Sequence, residues 1–456
     1  MAGISNPDGL GSPVTTGFPV THSSVLRIAA PMMLAYLSTP LVGLVATGVI
    51  GQLADTTLIG GVAIGAVIFD MIFFSFNFLR GATTGFTAQA MGAGNRQEEQ
   101  DMLLSGFGIA LVAGLLLLLL QAPIGELGVR LLGADASTAL PALDYFHARV
   151  WSAPFVLVNF VVFGWVLGRG EGLTALLLQT VLNVSNIGLS FLFVLHLDLG
   201  VAGAGWANTA AEVLTTMIGL SIVALRMPRS GWRLSELANG ARLRRLASVN
   251  SDMMIRSVAL LIGLSYFTRQ SAILGPEILA ANTILLRFYF AAISLLDGIA
   301  TAAEQLAGRA VGARSRPAFD RVVVLTTGWG WGLAVLISAV IYLTGPSVVA
   351  LVTPVEDLRA LAGVFLPYVA LLPLVGVVAF QMDGIFIGAT WSREMRNMML
   401  LSLLIYLLSW AALGPLLGNH GLWIALLIFH GVRSIAFRWR LPTLATRTFS
   451  LPKAPA

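Results

Sequence analysis

The sequence predicts an all-α polytopic membrane protein of twelve transmembrane helices, arranged as two pseudo-symmetric six-helix lobes. Three observations carry this. Of the 456 residues, 57% are hydrophobic and only 11% charged, against roughly 25% charged in a soluble domain. Apolar runs long enough to cross a bilayer, about 20 residues each, recur along the whole chain, whose mean hydropathy is +0.85. Basic residues also alternate between two sets of loops in step with those runs. No sizeable aqueous domain fits between them.

Span 1 is expected over 25–52, interrupted by Pro31 and Pro40. The polar stretch before it, 1–23, has no Lys or Arg and so lacks the basic region of a cleaved signal; the span should therefore be retained. Spans 2 to 6 follow at 58–90, 103–121, 144–168 (with Pro154), 172–195 and 200–226. After a loop come spans 7 to 12, at 245–270, 277–311, 320–344, 361–390 (with Pro367 and Pro373), 395–417 and 419–440. Proline within a span removes a backbone bond and kinks the helix, tolerated where neighbours or cavity water satisfy the freed carbonyl. The domain scheme is a tail at 1–23, an N-lobe at 24–226, a linker at 227–244, a C-lobe at 245–440 and a tail at 441–456.

Orientation follows from the basic residues. One set of ends holds twenty of them, including Arg27, Arg96, Arg169, Arg226, Arg316, Arg396, Arg433, Arg440 and Lys453, and the other only Arg130, Arg149, Arg269 and Arg359. Loops rich in Lys and Arg stay in the cytoplasm, which places both termini there and the protein in the inner (plasma) membrane as a multi-pass chain. The same alternation accounts for the net charge of +5, so no nucleic-acid surface is expected. The absence of cysteine excludes disulfides and thiolate chemistry, and the five histidines are scattered without a metal-binding spacing.

The two halves repeat each other at an offset of 220. Ala90, Gly92, Ala93 and Arg96 match Ala310, Gly312, Ala313 and Arg316, while Gly164 and Gly168 match Gly384 and Gly388. Repeats of an even number of spans share one topology, an arrangement found in transporters that bind substrate between lobes.

Ionisable residues inside spans cost about 2.5 to 3.5 kcal/mol each and need a partner, water or a function. In the first half they are Asp70, Arg80 and Glu212; in the second, Asp252, Arg256, Asp297, Glu304 and Asp383. Asp252, Glu304 and Asp383 share a depth of roughly 10 Å from the inner ends, at about 1.5 Å per residue, and Asp297 lies two turns from Glu304 on one stripe. Four acids facing one arginine leave carboxylate in excess, and such a carboxylate can carry a proton. Simpler roles stand beside this one: Asp252 and Arg256, at i and i+4, suit a structural ion pair, and Arg80 with Glu212 suits a salt bridge within the first lobe. Asp383 and Asp297 have no adjacent base and read as functional. Met32, Met33, Met71, Met253, Met254 and Met382 lie near these levels, as core or as an adaptable pocket lining.

Four segments, FNFLRGATTGFTAQAMGAG at 76–94, GVAGAGWANTAAE at 200–212, LLDGIATAAEQLAGRAVGA at 295–313 and DGIFIGATWSREMRNMMLLS at 383–402, resemble the multidrug and toxic compound extrusion (MATE) transporters, DinF-type branch. The resemblance implies two six-helix lobes around a central V-shaped cavity and export of organic cations or amphipathic drugs in exchange for H⁺ or Na⁺. It implies no cofactor, a monomer in the lipid membrane, and small-molecule drugs as the partners. By position, Asp383 matches the family's acid of span 10, where Na⁺ is also a candidate, and Asp297 with Glu304 matches an acid pair in span 8. The chain departs from the family at Ala46, where span 1 usually has an acid before Thr47, and at Ser190, where Asn-x-x-x-Asp reads Asn186 followed by Ser190. Polar candidates left in the first lobe are Thr47, Asp70, Arg80, Asn183, Asn186, Ser190 and Glu212. Two other functions are weaker. A lipid-linked precursor flippase needs a basic cavity, with Arg80, Arg256 and Arg287 as the intramembrane bases. A membrane enzyme needs a catalytic motif, and neither HExxH nor GxSxG is present.

Overall fold

A computed structural model describes residues 19–52, 55–227 and 240–450; within α1 the side chains of 39–41, 44, 46 and 47 lie outside this description. Among the described residues the chain is helical, with no strand. The first lobe comprises α1 (His22–Gly51), α2 (Thr56–Phe76), α3 (Phe78–Gly92), α4 (Arg96–Leu119), α5 (Gln121–Leu131), α6 (Ala136–Val150), α7 (Ala153–Gly168), α8 (Gly172–Ser190), a π-helical turn (Phe191–His196) and α9 (Gly200–Arg226). The second comprises α10 (Gly240–Leu274), α11 (Pro276–Gly312), α12 (Arg316–Val352), α13 (Glu356–Gly388), α14 (Ser392–Leu417) and α15 (Asn419–Ser450). Among the described residues ten helices, counting α2 with α3 as one, are long and apolar enough to cross a membrane, and the bent pair α6–α7 makes an eleventh, against the twelve expected; α1, with 30 residues, is not in that set.

Differences from the expected spans have local causes. Span 2 breaks at Asn77 into α2 and α3. Span 4 bends by 53° between α6 and α7, beside Pro154 in the first turn of α7, where a missing N–H costs nothing. Pro31, by contrast, is accommodated in an unbroken α1. The short α5 was not expected as a separate element. The last helix runs to Ser450, past the expected tail boundary at 440, because Leu441, Leu444 and Ala445 are buried against the C-lobe. The expected linker falls mostly on 228–239, outside the described residues.

Side-chain caps begin several helices: Asp55 accepts from the Thr57 N–H at 2.8 Å, Asn95 from Glu98 at 3.0 Å and Asp135 from Thr138 at 2.8 Å. The Thr138 and Ser137 hydrogen bonds hold the Asp135 carboxyl at about 2, below its ordinary value. Bulky apolar residues such as Leu111, Leu115 and Leu119 on α4 and Val335, Leu336 and Leu343 on α12 point away from the protein, as suits helices whose solvent is lipid.

The duplication is explicit in the packing. A Cβ on Gly164 would strike the Arg80 carbonyl, and one on Gly384 the Ala300 carbonyl; Gly168 abuts the Thr84 carbonyl and Gly388 that of Glu304. Each pair repeats at the offset of 220. These glycines let α7 approach α3, and α13 approach α11, to backbone contact. The turns repeat as well: Gly94 and Arg314 are both left-handed (φ 67° and 52°), as are Gly170 and Thr390 (φ 78° and 57°).

The lobes meet where α3 crosses α11 and α13 and where α1 lies along α11. Gly92 faces the Arg309 carbonyl and Gly312 the Gln89 carbonyl, one contact made twice around a pseudo-two-fold axis. Flanking it, Gln89 Nε2 donates to the Gly388 carbonyl at 2.8 Å, and Gln305 Nε2 to the equivalent Gly168 carbonyl at 3.3 Å. All these contacts lie at the arginine-rich ends. Toward the other ends a groove of about 580 Å³ separates α2 from α10, lined by Met71, Ser75, Val258, Ile262, Tyr266 and Arg269. The lobes are thus sealed at one end and parted toward the other.

Candidate functional site

Two of the interior's polar clusters lie around the acids of the second half. The first lies within the C-lobe around Asp383 on α13. Its Oδ2 accepts from Nη2 of Arg256 on α10 and from Nη2 of Arg433 on α15, each at 2.5 Å. Its Oδ1 has no hydrogen-bond partner among the described residues. Arg433 is 1% exposed and lies over the rings of Phe429 and Phe380, at 5.5 and 5.8 Å. One turn before it, His430 Nε2 pairs with the Tyr289 hydroxyl at 2.9 Å. Gln381 Nε2 reaches back to the Leu296 carbonyl on α11 at 3.4 Å.

The second cluster lies in the seam between the lobes. Arg80 on α3 donates to the Tyr36 hydroxyl on α1 at 2.8 Å and to Asn77 Oδ1 at 3.2 Å. The Tyr36 hydroxyl meets Thr301 Oγ1 on α11 at 3.1 Å, and Thr301 donates to the Asp297 carbonyl at 2.8 Å. Below this bridge Glu304 is buried, with Thr84 of α3 within hydrogen-bond reach. Its Oε1 has no partner, and no arginine lies within ion-pair distance, among the described residues. Asp297 is half-buried between the clusters, close enough to feel Arg80, Arg256, Arg433 and Asp383.

Several sequence expectations are corrected. The Asp252–Arg256 pair does not form: Asp252 takes Arg396 at 2.5 Å and Ser392 at 3.1 Å, both on α14, while Arg256 one turn deeper reaches Asp383. Helical spacing put the two on one face, but each found a closer partner on a neighbouring helix. Asp383, expected to lack an adjacent base, has two. Arg433, expected at the aqueous inner surface, is one of them. The Arg80–Glu212 bridge is also absent, since Arg80 turns toward α1 and Glu212 accepts instead from Asn159 at 2.7 Å. Asp70, largely exposed, faces Arg149 at 3.6 Å. A Na⁺ beside Asp383 does not fit the donor set: two guanidinium groups already face that carboxylate, and among the described residues no three acids or histidines gather as metal ligands.

In the first lobe, Asn183 donates to Ser38 Oγ at 2.7 Å and accepts from Gln179 at 3.0 Å. Asn186 and Ser190 are buried, and the Ser190 hydroxyl has no partner among the described residues. The side chains of Ala46 and Thr47 lie outside those described. Sequence reading missed Tyr36, Thr301, Gln89, Gln305, His430 and Arg433. Hydroxyls, amides and a single histidine stand out less among apolar residues than acids and arginines do, and Arg433 was hidden among the arginines grouped at one set of span ends.

Comparison with known proteins gives one consistent answer. The MatE family model matches residues 31–192 and 254–411, one segment in each lobe. The chain is 37% identical over 424 residues to the DNA damage-inducible protein F of Escherichia coli (strain K12), covering 92% of each. It is 26% identical over 347 residues to a probable multidrug resistance protein NorM of Bradyrhizobium diazoefficiens, covering 72% of each. Its fold is similar, with a TM-score of 0.85 at 19% identity over 94% of this chain and 97% of the other, to an outward-facing multidrug resistance MATE family transporter of the MOP superfamily.

Proposed function

This chain belongs to the MatE family of transporters, and from that premise we propose that it is a proton-coupled antiporter exporting organic cations or amphipathic drugs across the inner membrane. The observation that carries the reading is the pair of lobes sealed at the arginine-rich ends and parted toward the others, with buried carboxylates beside and within the seam. With those ends in the cytoplasm, both termini are cytoplasmic and the arrangement is outward-facing. One chain supplies both lobes, so a monomer suffices.

Protons suit the site better than Na⁺. A carboxyl can accept a proton with no coordination shell, whereas Na⁺ needs several oxygen ligands. Drug specificity would come from the groove above, where Met71, Ile262 and Tyr266 offer an adaptable apolar wall. The precursor-flippase reading is less well served: of the intramembrane bases Arg80, Arg256 and Arg287, the first two are engaged by Tyr36 and Asp383, which leaves Arg287 alone to meet a phosphate.

The test is efflux of ethidium from proteoliposomes under imposed pH and Na⁺ gradients, applied separately. A pH gradient alone should drive efflux and its collapse should stop it. Efflux indifferent to the pH gradient would refute proton coupling, and efflux indifferent to both would refute antiport.

A further inference from the structure

We propose that Glu304 is the titratable element of the inner seal: the lobes close over it when its carboxyl is neutral and part when it is ionised. The inference deepens the antiport reading and rests on it for its physiological direction, but its physical basis is independent. Glu304 is 4% exposed, and its Oε1 has no partner among the described residues. It sits between two layers of contact across the seam. On one side is the Tyr36–Thr301 hydroxyl bridge; on the other the glycine crossing of α3 and α11, with its glutamine clamps. Burying a carboxylate there opposes closure, because the Thr84 hydroxyl reaches only one of its oxygens and no arginine among the described residues pairs with it. A protonated carboxyl removes that opposition and leaves the neutral contacts of the seal intact.

The surroundings single out Glu304. The charged groups that act on it are Arg80 on α3, Arg256 on α10 and Asp297 on its own helix. Arg80 is committed to Tyr36 and Asn77, and Arg256 to Asp383. On α1 the facing group is Tyr36, and on α13 it is Asp383, held by its two arginines. The body of α7 carries no ionisable residue, and α12 none beyond Arg321 except Tyr342, about six turns further along. At the pseudo-equivalent position the first lobe has Thr84, which donates to the Arg80 carbonyl at 2.9 Å. The seam therefore holds one acid where the duplicated fold offers two places.

This ties the inner seal to one charge that either a proton or a cationic drug can answer. A proton arriving from the open side neutralises Glu304 and stabilises the sealed state. When the lobes part on the inner side, water reaches the carboxyl and the proton leaves to the cytoplasm. Reclosure then needs the charge answered again, and a cationic drug in the cleft can do so in place of the proton.

The chain has no cysteine, so spin labels can be placed at Arg96→Cys and Arg316→Cys, pseudo-equivalent positions at the inner ends of the two lobes. In nanodiscs, the distance between them should be short at low pH, and a longer population should grow as pH rises. Glu304→Gln should keep the short distance at every pH, while Asp297→Asn should still open. Glu304→Asp, which keeps the acid, should open with a displaced midpoint and confirms that the label pair reports this group. A wild-type distance unmoved by pH, or opening retained in Glu304→Gln, would overturn the proposal. Because this readout needs no transport, pH-gated opening without drug efflux would sink the antiport reading and leave the seal intact.

Discussion

Asp383→Asn separates a charge-balancing role from one in ion coupling alone. Asp383 is the carboxylate on which Arg256 and Arg433 both converge, with side chains 10%, 16% and 1% exposed respectively. An amide of the same shape can still accept one hydrogen bond, but it leaves two guanidinium charges uncompensated in a lipid-embedded lobe. Removing one partner of a buried pair costs about 3–5 kcal/mol, and at about 2–4 °C per kcal/mol for a unit of one lobe's size the thermal midpoint should fall on the order of 10 °C. The measurement is size-exclusion thermostability in detergent, run beside ethidium efflux. Asp383→Asn/Arg433→Gln, which deletes the more buried arginine, should recover much of the loss without restoring efflux. An unchanged midpoint in Asp383→Asn, or a double variant less stable than the single one, would refute the charge-balance reasoning.

Gly388→Ala should disrupt the C-lobe, because its methyl would press on the Glu304 carbonyl; lowered thermal stability should show it, with Gly328→Ala, in open space, as the neutral comparison. Gly312→Ala acts on the seam instead, against the Gln89 carbonyl of the other lobe, and should hold the inner ends apart in the spin-label measurement with each lobe still folded. Asp135, whose carboxyl is held at about 2 against an ordinary 3.8, stabilises α6 fully above pH 4. Its contribution should fade as pH falls toward 2, so Asp135→Asn should flatten the acid end of the stability profile.

The sequence foretold the membrane class and the duplication because each leaves a one-dimensional trace. Apolar runs mark spans, arginines gather at one set of their ends, and Gly164, Gly168, Gly384 and Gly388 mark helix contacts where only hydrogen fits. The resemblance to MATE transporters, carried by four segments spread through both halves, pointed to the family that the comparisons then showed. What stayed hidden was pairing between helices. Asp252 and Arg256 are four apart on one face, yet they turn to α14 and α13, a choice made by interhelical distances that no spacing encodes. Arg433 lies about one to two turns before Arg438 and Arg440 on α15, where Asp383, Phe380 and Phe429 enclose it. The hydroxyl bridge of Tyr36 and Thr301 is assembled from residues 265 positions apart, and its parts are ordinary when read singly.

The central claim, that one carboxyl is answered either by a proton or by a drug cation, is tested most directly by calorimetry of tetraphenylphosphonium binding in buffers of different ionisation enthalpy. Exchange predicts that binding heat varies linearly with buffer enthalpy, with release of about one proton per bound cation near neutral pH, and that Glu304→Gln abolishes this dependence. Binding heats identical across buffers in the wild-type protein would contradict it.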